Sequence, residues 1–65
     1  MAKQIALMDR QFWILSEPQG SGWKATVVEV TDTGHEEVGI DATAETRGAA
    51  DDAAERKLRR FVQTP

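Results

Sequence analysis

Residues Thr43 to Val62 read TAETRGAADDAAERKLRRFV and form the longest stretch with a clear helical period. Ala50, Ala54, Leu58 and Phe61 recur at i, i+4, i+8 and i+11, drawing one apolar stripe along a 3.6-residue repeat. Asp51, Asp52, Glu55, Arg56, Arg59 and Arg60 fall between them and face water. The stripe begins with alanines and ends with Leu58, Phe61 and Val62. Its first half can therefore approach a surface closely, while its second half fills volume. The acids lie in the N-terminal half and Arg56, Lys57, Arg59 and Arg60 in the C-terminal half, matching the helix dipole. Asp52–Arg56 and Glu55–Arg59 are i,i+4 pairs worth about 0.2–0.5 kcal/mol each. Thr43 is the expected N-cap. Gly48 costs up to about 1 kcal/mol relative to alanine; it either permits close packing or marks a later start capped by Thr46.

Such a stripe needs a partner surface, and the preceding residues read as strands. Gln11 to Ser16 is aromatic and β-branched (Phe12, Trp13, Ile14). The run Glu17-Pro18-Gln19-Gly20-Ser21-Gly22 is rich in turn formers, with Gly20 and Gly22 supplying positive φ. Trp23 to Val30 is a second strand, Thr31-Asp32-Thr33-Gly34 a turn, and His35 to Ile40 a shorter third strand. Pairing Ile14 with Ala25 and Val30 with His35 gathers Phe12, Ile14, Trp23, Ala25, Val27, Val38 and Ile40 on one face. A one-residue slip would scramble that apolar surface.

The predicted fold class is α+β: a three-stranded antiparallel meander with one C-terminal helix across one face (β-β-β-α). Residues 1–10, where Ile5 and Leu7 alternate, are an N-terminal arm or extra edge strand. Residues 11–62 make the single domain and 63–65 a C-terminal tail. At 65 residues with 40% hydrophobic composition, one helix and one sheet face use most of the available apolar volume. Some domains of this size gain stability by oligomerising.

The opposite face carries Trp13, Leu15, Lys24, Thr26, Val28, Val30, His35 and Glu37. One helix cannot cover both faces, so Trp13, Leu15, Val28 and Val30 form an apolar patch with a polar rim. That patch marks an interaction surface, for a second copy or another protein. The competing reading folds residues 1–8 back over it, using Ile5, Leu7 and Met8.

Residues suited to catalysis are few. The chain has no cysteine, no tyrosine and one histidine. Disulfides, thiolate catalysis and cysteine-based zinc sites are thereby excluded, and acid–base or nucleophilic chemistry has little to work with. Glu36 and Glu37 beside His35 point to opposite faces of a strand, so they do not converge on one ion. Gly20-Ser21-Gly22 lacks the following Lys-Ser/Thr and helix of a phosphate loop. The expectation is a non-catalytic protein with no cofactor, no metal and no evident small-molecule substrate. A net charge of −3 argues against a general nucleic-acid binder. The basic cluster Arg56, Lys57, Arg59 and Arg60 is the alternative contact, toward phosphates or an acidic surface. The opening MAKQIALMDR holds no signal-peptide apolar run, and no stretch is long enough to span a membrane. A cytoplasmic protein is expected.

From Phe12 to Val62 the chain resembles the HicB-like antitoxin domain. Gly20-Ser21-Gly22-Trp23 stands where that family has its hairpin Gly-aromatic, and Gly39-Ile40-Asp41-Ala42-Thr43 stands near the lead-in to its alanine-rich helix. The resemblance implies the β-β-β-α order. The Pro-containing segment usual after the second strand and a C-terminal DNA-binding appendage are missing, so the family's toxin-neutralising and operator-binding roles are not carried over. The double-stranded RNA-binding domain shares the meander and final helix, but uses lysines at the start of that helix. Glu45, Arg47, Asp51 and Asp52 stand there instead, which disfavours RNA binding.

Overall fold

The computed structural model describes residues 2–63. Four antiparallel strands run β1 (Ala2–Leu7), β2 (Arg10–Gln19), β3 (Gly22–Thr31) and β4 (Gly34–Ala44), followed by α1 (Arg47–Gln63). They pair in sequence order, β1-β2-β3-β4. The α+β class and the C-terminal helix are as predicted; the sheet has four strands, not three. The N-terminal segment is the added edge strand, pairing from Ala2↔Leu15 to Leu7↔Arg10. Met1, Thr64 and Pro65 lie outside the described residues, and with them all but Gln63 of the predicted tail. Gln63 itself belongs to the helix.

The first predicted register is off by two. Ile14 pairs with Val27 and Ser16 with Ala25, because the turn is only Gly20-Ser21 rather than a six-residue loop. Both strands run on to Gln19↔Gly22, through Pro18. Proline is tolerated because β1 pairs no further than Leu15, leaving this end of β2 an edge on one side. Gly22 is needed for space rather than for positive φ: a Cβ there would lie 2.5 Å from the Ala44 carbonyl oxygen.

On the other side of β3, Val30↔His35 holds as predicted, but the pairing shifts between Thr26 and Val28. Val27 alone faces Val38, Gly39 and Ile40, a bulge with Gly39 at φ +77°. Two-residue offsets preserve side-chain alternation, so both faces keep their predicted membership although two registers moved.

The core is Ile5, Phe12, Ile14, Ala25, Val27, Ala42, Ala50, Ala54 and Leu58, flanked by Leu7, Trp23, Val38, Ile40 and Val62. Burying Phe12, Ile14, Val27 and Leu58 completely supplies about 1.5–3 kcal/mol each. The helix starts after Thr46, whose Oγ1 accepts from the Ala49 N–H at 3.1 Å; Thr43, the predicted cap, belongs to β4. The later start leaves no acid in the first turn, so dipole matching holds only at the C-terminal end. Val62, not Phe61, continues the stripe. Phe61 is 44% exposed, with the Arg10 guanidinium 5.7 Å from its ring centroid and 5.2 Å from that of Phe12. Arg10 also grips Glu29 through two hydrogen bonds of 2.8 and 2.9 Å. Lys3 Nζ, 2.7 Å from Glu55 Oε1, ties β1 to the helix.

Candidate functional site

The helix lies on the sheet face carrying Phe12 and Ile14, so alternation turns Trp13 and Leu15 of β2 to the other face. Cross-strand pairing brings Val28 opposite Trp13, Gln11 opposite Val30, and Val30 opposite His35. The predicted patch residues Trp13, Leu15, Val28 and Val30 therefore share one surface. Trp13 is 37% exposed and Leu15 44% exposed. Val28 is buried beneath its neighbours, although it belongs to the outer face. With Trp13, Leu15 and His35 it lines a shallow depression of about 310 Å³.

Residues 2–8 do not cover this surface. As a strand beside β2, the N-terminal segment sends Ile5 and Leu7 into the helix-side core. Met8 stands at the hairpin tip, 73% exposed. The reading in which Ile5, Leu7 and Met8 fold over Trp13 is thus corrected by strand alternation itself.

His35 is exposed, but it is not isolated. Its ring stands edge-on to Trp13, with centroids 6.4 Å apart and planes at 70°. The Val30↔His35 pairing carried this signal in the sequence, since it sets His35 on the outer face one strand away from β2. Glu36, on the helix side, faces Glu29, and Glu37 lies on the outer face. Among the described residues, no group of three or more histidine, aspartate or glutamate side chains is placed to hold a metal ion.

The basic residues at the helix end do not converge. Lys57 Nζ donates to the Asp41 carbonyl oxygen at 2.9 Å on the β4 flank. Arg59 donates to Glu55 at 2.9 and 3.1 Å on the flank nearer β1. Arg56 and Arg60 are exposed one helical turn apart. Hydrogen bonds from Lys3 and then Arg59 hold the Glu55 carboxyl below its ordinary range, and Arg10 does the same for Glu29.

A polar depression of about 430 Å³ lies beside the hairpin ends, lined by Asp9, Arg10, Gln11, Glu29, Val30, Thr31 and Asp32. Its cation is already committed to Glu29. On the helix side, Ser16 Oγ is shut off with no hydrogen-bond partner among the described residues, and the single histidine lies on the opposite face. The two therefore form no hydroxyl–imidazole pair. The chemistry on offer is that of an apolar contact surface with a polar rim.

The free edge of β4 is a poor alternative surface. Lys57 occupies the Asp41 carbonyl, Gly39 bends the strand, and Glu36, Glu37 and Asp41 charge it. Bulges and charges are devices that block edge-to-edge pairing. Among the described residues no helix is long and apolar enough to cross a membrane. No family model, curated protein or solved structure matches the chain.

Proposed function

We propose that this chain is a small non-catalytic interaction module that self-associates face to face through the outer sheet surface of Trp13, Leu15, Val28 and Val30. The observation that carries this reading is an apolar surface that no described residue covers, on a sheet whose other face is filled by α1. Its dimensions suit the role. The chain extends 34 × 24 × 16 Å, and ten- or eleven-residue strands account for the longest dimension. Taken whole, with its charged rim around the apolar patch, a face of that extent reaches the roughly 800 Å² that each partner contributes to a standard interface. A second copy offers the same patch, which an isologous two-fold contact requires. The order of strands and helix is HicB-like in outline, with one strand more, and supports an interaction role rather than any one partner.

The second reading, a nucleic-acid-associated regulator using Arg56, Lys57, Arg59 and Arg60, rests on the position of these four cations near the helix end, with Arg56 exposed. Lys57 and Arg59 are engaged within the chain, which weakens it. Sedimentation equilibrium over a concentration series, at low and high salt, tests the first reading. The expected result is twice the 7.2 kDa chain mass with no loosening at high salt, since apolar contacts are not screened. A monomer at every concentration overturns it. Salt-sensitive retention on a nucleic acid would favour the second reading.

A further inference from the structure

We propose that His35 makes association through the outer face pH-dependent: the face closes on a second copy when the imidazole is neutral and opens when it is protonated. This rests on the self-association reading above. His35 is the only histidine in the chain, and histidine is the side chain whose charge ordinarily changes in the neutral range. Its ring stands against the edge of Trp13 and completes the wall of a depression whose other three residues are apolar.

In the single chain His35 is exposed, so either charge state is hydrated. Under a second sheet the imidazolium would lose its water against tryptophan, leucine and valine. Burial of that kind disfavours the charged form. The surroundings offer little compensation. Across the outer face, β3 presents Val30 and Val28, β2 presents Gln11, Trp13 and Leu15, and β1 presents Gln4 and Ala6. The helix is on the other side. Among the described residues, Glu37 of β4, two residues along the same strand and exposed, shares this face with His35, and Asp9 and Asp32 of the hairpin turns stand at the same end of the sheet, beside Gln11 and Val30. Lys24, Glu17 and Asp41 lie toward the opposite end of the strands. A two-fold contact places two copies of His35 in the interface, so protonation acts twice.

The test compares the full chain with His35→Gln by sedimentation equilibrium from about pH 8 to about pH 5.5, with circular dichroism at each pH to confirm the fold. The wild-type dimer is expected to weaken by about tenfold or more over that range, and the His35→Gln dimer to hold constant. Two results overturn the gate while leaving the dimer standing: equal affinity at both ends of the range, or the same weakening in His35→Gln. A wild type that is monomeric at the alkaline end removes self-association, and the gate with it.

Discussion

A methyl group added at Gly22 would lie 2.5 Å from the Ala44 carbonyl oxygen, whereas one added at Gly48 meets nothing within 4 Å. The first contact is with backbone where β4 leaves the sheet for the helix, so nothing flexible can move aside. Gly22→Ala should destabilise the fold by roughly 1–3 kcal/mol. Gly48→Ala, at an exposed site inside the helix, should stabilise it by about 0.4–1 kcal/mol. Urea titrations of the two variants should shift their midpoints in opposite directions; a shift of the same sign would contradict this assignment of roles. Neither role is readable from residue type, because glycine serves positive φ, close approach and helix interruption alike. Phe61 illustrates the same limit. Its spacing fits the apolar stripe, but Arg10, distant in sequence, draws it out over an ion pair.

At the scale of elements, the β1–β2 turn carries a cost that its sequence does not advertise. Met8 and Asp9 both have positive φ, 50° and 65°, in a two-residue hairpin turn where asparagine and glycine are preferred. Met8→Asn with Asp9→Gly should therefore raise the unfolding free energy by about 1 kcal/mol or more. A thermal midpoint at or below that of wild type would count against it. This turn left β1 undecided between an arm and an edge strand, since Met-Asp gives no hairpin signal. The β2–β3 turn was legible in place but not in length, because Pro18 reads as a breaker unless β1 is known to stop short. Face membership survived the register shifts at β2–β3 and at the β3–β4 bulge because each was by two residues. Thus the patch of Trp13, Leu15, Val28 and Val30 was legible, and the contact of His35 with Trp13 was not drawn from it. The Glu55–Arg59 pair was legible as an i,i+4 contact, whereas the reach of Lys57 to the Asp41 carbonyl across the helix–sheet junction was not.

For the whole molecule, the ion pairs Arg10–Glu29, across the sheet, and Lys3–Glu55, between edge strand and helix, join distant segments. Their carboxyls titrate below the ordinary range when folded. The stability they add is therefore present above the unfolded glutamate value, about 4.3, and is lost as pH falls through it toward the folded values. Thermal midpoints from neutral to strongly acid pH should drop more steeply for wild type than for Glu29→Gln with Glu55→Gln; parallel curves would show that the pairs contribute nothing. That acid window lies below the range of about pH 8 to about pH 5.5 over which association is followed, so loss of fold and loss of association are separable.

Self-association itself is tested most directly by the solution mass of wild type and of Trp13→Glu over one concentration series, with circular dichroism of both. Trp13 is partly exposed on the outer face and outside the helix-side core, so the substitution should leave a folded chain that remains a monomer while wild type dimerises. A Trp13→Glu chain that dimerises as tightly as wild type, or a wild type that never dimerises, would contradict the assignment of the outer face as the interface.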